Sequence, residues 1–324
     1  MTEPWPPGSQ QAIGQTGEFL VWATLIAQSG GRLHVFLPTL DRGIDGVIHR
    51  LDDGTYLALQ VKTKTAHGSE APIAVLESHL FTDGQLIVGV RLHDDRLGDY
   101  ALVADAATFK AKAGRIVDHG RVLLVADMPN APDATHKWSA NLVPLHELAA
   151  RLGARPVTAA ALSEAAPTPP TVADEDLVIG NWGELEVLRR LAMLEDCGLF
   201  RPFPDSETAE LLVRRLATGA TIGLQIKTAQ LDQPHDYRNV QVNRADFIAS
   251  PTTFIAAVAW IASEKRFHET CLLVPSIALP DIAGTSGDSY ELHFRPDGSS
   301  EPSKVDRYRL CLESLIAEIS RYLG

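Results

Sequence analysis

The sequence predicts an α/β protein made of two similar domains, and three observations support this prediction. At 324 residues, the chain is long enough for two domains with separate cores. It also contains a long internal repeat. Residues 13–25 (IGQTGEFLVWATL) match 179–191 (IGNWGELEVLRRL) at six of thirteen positions, and 47–63 (VIHRLDDGTYLALQVKT) match 212–228 (LVRRLATGATIGLQIKT) at seven of seventeen. Finally, helical and strand periodicities alternate within each copy.

The repeat predicts where the domains begin and end. The first domain is expected at 9–154 and the second at 176–324. Between them, residues 155–175 are rich in Ala, Pro and Thr and have no apolar periodicity, which is typical of an exposed, semi-extended linker.

The first domain is expected to begin with a helix over residues 10–29, which carry apolar side chains at helical spacing and stop at Gly30-Gly31. Strands at 46–51 and 56–63 are expected to form a hairpin through Asp52-Asp53-Gly54. The other elements predicted in this domain are a strand at 34–37, a helix near 72–80, strands at 85–92 and 100–104, a helix at 105–113, a strand at 121–126 and a helix at 141–152.

The second domain is expected to repeat this order. The predicted elements are a helix at 179–195, a hairpin about Thr218-Gly219, strands at 254–262, 269–274 and 289–295, and a helix at 305–322. Helices flanking a mixed sheet in each copy give the α/β class.

Composition excludes several kinds of protein. The net charge is −12, so a passive DNA-coating role, which needs clustered cations, is disfavoured. No apolar run approaches the roughly 20 residues that span a bilayer, and the first ten residues lack the pattern of a secretory signal. Three isolated cysteines, expected to be buried, suit a reducing cytoplasm. The sequence has no Gly-rich phosphate loop, GxSxG or CxxC motif.

Polar residues recur at fixed places in both copies. Strand alternation puts Gln60 and Lys62 on one face, opposite Leu59 and Val61. Such residues are costly in a core unless they are paired, although an edge strand with a solvent-facing side would also accommodate them. Asp45, at the start of the adjoining strand, is an expected neighbour. Glu18 would join the cluster if the first helix crosses the strand ends; its alternative is a solvated Glu beside a closely packed Gly17.

Carboxylate, amide and ammonium groups together suit phosphodiester hydrolysis. Mg²⁺ prefers hard oxygen ligands, lowers the pKa of a bound water and offsets charge on the phosphate. A nearby ammonium can orient the attacking water as a point charge.

The order Glu18 … Gly43-Ile44-Asp45 … Gln60-Val61-Lys62 resembles the PD-(D/E)xK nuclease superfamily. Gln in place of the usual acid is similar to its Mrr-like branch. The resemblance covers about 10–115, with a weaker echo over 176–275. It implies two tandem restriction endonuclease-like domains, each a mixed central sheet flanked by helices.

The same resemblance implies roles for individual residues. Asp45, Gln60, the Val61 carbonyl and Glu18 would bind Mg²⁺, with Mn²⁺ as a substitute, and Lys62 would assist the attacking water. The equivalent residues of the second copy are Glu184, Glu210, Gln225 and Lys227.

The second copy departs further from the family pattern. Gln60 and Gln225 are both neutral, but Glu210 also adds a methylene relative to Asp45, and no Gly-Ile precedes it. Asp205 is a competing candidate for its ligand. The first copy is therefore the better candidate for activity.

The expected function is a metal-dependent endonuclease acting on DNA, with the two copies forming an intramolecular pseudodimer. Defence against foreign DNA and DNA repair are the expected settings, and a further oligomer or protein partner is compatible with both. The alternative is a catalytically inactive nuclease fold that binds or scaffolds in such a complex.

Two smaller questions stay open from sequence. Arg50 and Arg215 correspond between the copies, and either a phosphate contact or a structural salt bridge, which we favour, would explain them. A short basic stretch would fit either the DNA backbone or, as favoured, a solvated helix face; it consists of Lys110, Lys112, Arg115 and Arg121.

Overall fold

The structure is a computed structural model. It describes residues 9–39, 42–65, 70–93, 96–154, 174–203, 209–244, 247, 249–298 and 303–324. The chain divides into two compact units: unit 1 is Met1–Ala165 with Ala217–Gly219, and unit 2 is Ala166–Leu216 with Ala220–Gly324. Most of the predicted linker lies outside the described residues.

Unit 1 contains three helices and ten strands among its described residues. The helices are α1 (Ser9–Ser29), α2 (Ala106–Lys112) and α3 (Leu148–Arg151). The strands are β1 (Leu33–Pro38), β2 (Gly46–Arg50), β3 (Thr55–Thr65), β4 (Glu70–Leu76), β5 (Leu86–His93), β6 (Arg96–Leu97), β7 (Tyr100–Asp105), β8 (Gly114–Asp118), β9 (Arg121–Pro129) and β10 (Leu142–Pro144).

The strands of unit 1 form a central mixed sheet and a smaller second sheet. The central order is β10-β7-β5-β3-β2-β1, in which only β3 and β5 pair in parallel, and β6 extends from β5. Helices α1 and α3 pack on the face that carries Leu59 and Val61. The three-stranded sheet β4-β9-β8 and helix α2 cover the other face, so the unit has three layers.

Unit 2 also contains three helices and ten strands among its described residues. The helices are α4 (Asp174–Leu191), α5 (Leu279–Ile282) and α6 (Leu315–Leu323). The strands are β11 (Cys197–Phe203), β12 (Leu211–Arg215), β13 (Thr221–Leu231), β14 (Arg238–Asn243), β15 (Thr253–Ile261), β16 (Arg266–Phe267), β17 (Thr270–Pro275), β18 (Gly284–Ser286), β19 (Ser289–Phe294) and β20 (Arg309–Cys311).

The topology of unit 2 follows that of unit 1 step by step. Its central order is β11-β12-β13-β15-β17-β20, again with one parallel pair, β13 and β15, and a small sheet β14-β19-β18. Helices α4 and α6 pack on one face of the central sheet, and the small sheet packs on the other. Both units are α/β, as predicted.

Three predicted helices are wrong in whole or in part. The segment near 72–80 is strand β4 followed by a 3₁₀ turn, Glu77–His79, because Ile73 and Val75 are buried at strand spacing and Ala74 between them is exposed. Residues 142–144 form strand β10, since a residue that precedes a proline favours extended backbone. In unit 2, residues 309–311 pair with β17, so α6 begins only at Leu315.

Two further expectations can be compared with the structure. Cys197 and Cys271 are buried as predicted, but Cys311 is exposed at the edge strand β20, so that prediction was wrong for it. Within the part of the chain that the structure describes, no helix combines the length and apolarity that a membrane crossing requires.

Candidate active site

The hairpin β2–β3 positions the candidate residues of unit 1. Its register runs from Gly46 opposite Leu59 to Arg50 opposite Thr55. Gly54 closes the turn at φ +70°, a conformation that glycine adopts without strain. Arg50 binds Asp53 at 2.6 Å and donates to the Leu152 carbonyl, so it fixes the base of the hairpin structurally.

Asp45 connects the start of β2 to the middle of β3. Its backbone N–H donates to the Leu59 carbonyl at 3.0 Å, and its Oδ2 accepts from the Val61 N–H at 2.8 Å. The Lys62 ammonium lies 3.5 Å from the same oxygen. The carboxylate is therefore held against β3 beside the ammonium, with its side chain only 16% exposed.

Gln60 lies on the same face of β3 as Lys62. Its side chain is buried, at 2% exposure, and its Oε1 has no hydrogen-bond partner among the residues that the structure describes. A buried acceptor without a partner costs about 1–3 kcal/mol, so its burial calls for a chemical reason.

Asp45, Gln60 and Lys62 line one cavity of about 210 Å³. Gly43 also lines the cavity, together with residues of the small sheet and of the turn after β4: Ala74, Leu76, Leu123 and His79. Glu18 is half-buried on α1 and does not belong to this lining, so the structure brings together three of the four predicted side chains in one cavity.

Gly43 explains why glycine stands two residues before Asp45. Its φ of +85° is unfavourable for other residues, and a Cβ there would overlap the His79 ring. His79 was not among the candidates from sequence, because its segment was predicted to be a helix. The buried Gln85 fixes the turn that carries it, donating to the His79 carbonyl at 2.9 Å and accepting from the Phe81 N–H at 3.0 Å.

Close packing explains the glycine that precedes Glu18. A Cβ on Gly17 would overlap the Thr63 side chain of β3, and a Cβ on Gly183 would overlap that of Thr228 of β13. Gly17 and Gly183 thus allow α1 to pack closely on β3 and α4 to pack closely on β13.

Unit 2 reproduces the backbone of this site. The Glu210 N–H donates to the Leu224 carbonyl at 2.9 Å, and Glu210 Oε2 accepts from the Ile226 N–H at 2.6 Å. These are the bonds made by Asp45, at positions 165 residues later. Lys227 lies 3.0 Å from Glu210 Oε1, closer than the corresponding pair in unit 1.

The other candidate residues of unit 2 differ more. Glu184 forms a 2.5 Å ion pair with Arg201 of β11. The registers of β1 with β2 and of β11 with β12 show that Arg201 corresponds to Leu37 of unit 1. Gln225 is half-buried, whereas Gln60 is buried. Asp205 lies outside the described residues.

Arg215 binds Asp196 at 2.6 Å and Ser320 at 2.8 Å, so it has a structural role like that of Arg50.

The donor set limits which metal chemistry is possible. No three His, Cys, Asp or Glu side chains within the described ranges are grouped so that they could hold an ion. A metal in the cavity of unit 1 would therefore need amide and backbone carbonyl oxygens besides the Asp45 carboxylate. Such oxygens suit Mg²⁺, which takes one or two carboxylates and keeps several waters, and the unsatisfied Gln60 Oε1 fits this requirement.

Comparison with known proteins gives little further information. No family model matches the chain, and no curated protein matches it. A solved structure, the bacterial homing endonuclease I-Ssp6803I, is similar over 45% of this chain and 94% of its own, with 16% identity and a TM-score of 0.29. A likeness at this level establishes neither family nor activity.

Proposed function

We propose that unit 1 is the catalytic centre of a metal-dependent nuclease that hydrolyses phosphodiester bonds of DNA. The observation that carries this proposal is the cavity in which Asp45, Gln60 and Lys62 meet, with the buried Gln60 oxygen lacking a hydrogen-bond donor among the described residues. An ion bound by that oxygen would remove the cost of its burial.

Each side chain has a role that its position allows. Asp45 supplies the anionic ligand, and the bonds from Val61 and Lys62 hold its carboxylate in place. Gln60 and the Val61 carbonyl supply neutral oxygens. Glu18, which lies on α1 and outside the cavity lining, is proposed to add a second carboxylate. Mg²⁺, when bound, lowers the pKa of a water and offsets negative charge on the phosphate.

Lys62 would orient the attacking water and stabilise charge on the phosphoryl oxygens. It is partly buried, at 29% exposure, and is attached to the strand that carries Gln60, so its ammonium is confined near the cavity. A point charge held in this way needs little reorganisation when charge develops on the phosphate.

We also infer that the two units arose by duplication of a PD-(D/E)xK-like domain. Support comes from the common strand order, the single parallel pair and the equivalent bonds of Asp45 and Glu210. Unit 2 is proposed to be architectural or weakly active.

A non-catalytic role is the second candidate, and it is favoured by the ion pairs of unit 2. Glu184 is paired with Arg201, which engages a carboxylate that a metal would need, whereas the pair of Glu210 and Lys227 has its counterpart in Asp45 and Lys62 of unit 1. If unit 1 is also inactive, the chain would bind or scaffold within a defence or repair complex.

The test is incubation of the full chain with plasmid and single-stranded DNA in Mg²⁺ or Mn²⁺. We expect cleavage that Asp45→Ala and Lys62→Ala abolish, whereas Glu210→Ala and Lys227→Ala leave nicking or reduced activity. Absence of cleavage by the wild-type protein would favour the binding role. Loss confined to the unit 2 variants would place the working site in the other unit.

A further inference from the structure

The cavity of unit 1 contains a further polar side chain, the imidazole of His79. His79 ends the 3₁₀ turn after β4, whereas Gln60 and Lys62 are part of β3. Its side chain is half-buried, and its ring nitrogens form no hydrogen bond or ion pair with the residues that the structure describes. Like the Gln60 oxygen, this imidazole has hydrogen-bonding capacity that the described part of the chain does not use.

The position of this imidazole is fixed through its ring and through its backbone. The ring packs on Gly43, where a Cβ would overlap Cγ and Nδ1 of His79. Gln85, which is 1% exposed, donates to the His79 carbonyl at 2.9 Å and accepts from the Phe81 N–H at 3.0 Å. Burial of the amide is offset by these two bonds, and they hold the turn in place. The imidazole is therefore preorganised at the cavity.

A phosphate oxygen is the partner that this imidazole lacks. A neutral imidazole has one N–H donor, which needs an acceptor. The Asp45 carboxylate already accepts from the Val61 N–H and lies beside the Lys62 ammonium. Mg²⁺ prefers oxygen to imidazole nitrogen, so a metal held by Asp45 and Gln60 does not account for His79. A phosphodiester bound beside that metal would bring anionic oxygens into the same cavity.

The corresponding position of unit 2 carries no such donor. Strands β5 and β15 pair in parallel with the equivalent strands β3 and β13, and these registers equate Leu86 with Phe254. Seven residues before them stand His79 in unit 1 and Phe247 in unit 2. Phe247 has no polar side-chain atom, and it packs edge-to-face on Tyr290 at 5.2 Å between ring centroids.

The support of this segment differs between the units as well. Thr253 takes the place of Gln85. The residues before Thr253 are held instead by Ser276, whose hydroxyl accepts from the Ser250 N–H and donates to the Ser250 carbonyl. Unit 1 therefore combines the imidazole, the buried amide that fixes it and the buried Gln60 oxygen.

We propose that the His79 imidazole donates a hydrogen bond to a phosphate oxygen of DNA bound in the cavity of unit 1. This rests on the proposed nuclease function, in which it makes His79 a catalytic residue besides Lys62. A hydrogen bond to an anionic oxygen is stronger than one between neutral groups. A preorganised donor also needs no reorganisation when charge develops on the phosphate.

The first test compares DNA cleavage in Mg²⁺ by the full wild-type chain, His79→Phe and His79→Gln. His79→Phe introduces the residue of unit 2 and keeps an aromatic ring against Gly43. His79→Gln keeps an N–H donor at a similar distance from the backbone. Thermal unfolding of both variants is compared with that of the wild type, so that a loss of folding is recognised.

We expect kcat/KM to fall about ten- to hundredfold in His79→Phe, the effect of one hydrogen bond to a charged group. His79→Gln should stay within about threefold of the wild type, because its amide can donate the same bond. A rate for His79→Phe within about twofold of the wild type would overturn the inference. Equal losses in the two variants would also overturn it, because packing alone would then explain them.

A second test does not require cleavage. The full chain is prepared with isotope-labelled histidine, and the His79 ring signals in the NMR spectrum are identified by their loss in His79→Phe. Ca²⁺, which also binds oxygen ligands, is added to saturation before single-stranded or duplex DNA oligonucleotides. We expect the His79 signals to shift when DNA is added. A shift that Ca²⁺ alone completes would overturn the inference, with the metal as the partner of the imidazole.

The two tests separate failure of this inference from failure of the proposed function. Cleavage that His79→Phe retains, without a DNA-dependent shift of the His79 signals, would remove the phosphate contact and keep the nuclease. A DNA-dependent shift without cleavage in Mg²⁺ or Mn²⁺ would keep the phosphate contact and remove the nuclease.

Discussion

The candidate sites of the two units have the same backbone and different charge arrangements. Asp45 and Glu210 accept from equivalent backbone N–H groups, and both lie beside the Lys two residues after a Gln. Yet the Gln60 oxygen is buried without a hydrogen bond among the described residues, and the Glu184 carboxylate is paired with Arg201. The same framework can thus be maintained by packing while the chemistry of the site changes with a few side chains.

The difference extends to the small sheet beside each site. Unit 1 carries the half-buried Leu123 and the exposed Ile116 on one face of this sheet, whereas unit 2 carries hydrogen-bonded Gln241 and Glu291 on the corresponding face. Because the strand order is the same, the topology cannot be the cause of this difference. The side chains on this face therefore differ between the units, although the strands that carry them are arranged alike.

The largest difference between the two sites is expected when their acidic residues, Asp45 and Glu210, are exchanged. Asp45→Glu gives unit 1 the longer side chain of unit 2 and moves the carboxylate by roughly 1 Å, so DNA cleavage should fall about 100-fold. Glu210→Asp is the reciprocal control and should change the initial rate less than about twofold. Equal effects would show that both units contribute to catalysis.

A second difference concerns the buried basic residue of the hairpin. His49 is 9% exposed and stacks on Tyr56 at 4.3 Å, and burial, reinforced by His34 and opposed by Asp53, lowers its pKa from 6.5 to about 4. The unfolded chain therefore binds this proton at a higher pH than the folded chain. Neutral His49 therefore contributes about 3 kcal/mol to the free energy of unfolding above pH 6.5, and this contribution is lost as the pH falls towards 4.

The equivalent residue of unit 2, Arg214, has a pKa lowered to about 10 by burial and does not titrate in that range. In urea denaturation of the full chain, the free energy of unfolding of unit 1 should therefore fall steeply as the pH falls from 6.5 to 4. His49→Phe should reduce this dependence on pH. If His49→Phe retains the pH dependence of the wild-type protein, a group other than His49 causes that dependence.

The third prediction tests the close packing that both units share. Gly17→Ala places a methyl group against Thr63 and should destabilise the chain by about 1–3 kcal/mol, as Gly183→Ala should against Thr228. Gly14→Ala and Gly180→Ala are matched controls in the same helices, because a Cβ at either has open space. They should be neutral or stabilising by up to about 1 kcal/mol in chemical denaturation. Destabilisation by the controls alone would contradict the packing argument.

The smallest effect is expected for the ion pair that distinguishes unit 2. Arg201→Leu introduces the residue found at the equivalent position of unit 1 and removes a pair whose side chains are 44% and 26% exposed. Exposed pairs contribute little, so unfolding should shift by less than about 1 kcal/mol, and cleavage should not change. A large loss of cleavage would show that Glu184 and Arg201 belong to a working site.

Much of the framework could be predicted from local signals. The α1 periodicity, the turn at Gly54 and the alternation in β3 place Gln60 and Lys62 on one face, as observed. The internal repeat predicted that Asp45 and Glu210 are equivalent, and their backbone bonds agree. The roles assigned to these residues stay predictions.

The errors came from segments whose pairing partners are distant in sequence. Strand β4 was predicted as a helix, yet it pairs with β9, about 50 residues away, and it supplies Leu76 to the cavity wall. His79, which lines the cavity next to Gly43, follows this strand. A short apolar run fits either a helix or a strand, and only the sheet that receives it decides between them.

The α/β class, the repeated order of elements and the polar face of β3 could be inferred from the amino-acid sequence, because these depend on periodicity and turn residues within a few positions. The surroundings of that face depend on how distant segments pack. Their packing buried the Gln60 oxygen, placed Leu123 of the distant strand β9 in the cavity wall, and left Glu18 outside the cavity lining. Burial and contact depend on segments that meet only after the sheets have formed, and local patterns carry no information about those meetings.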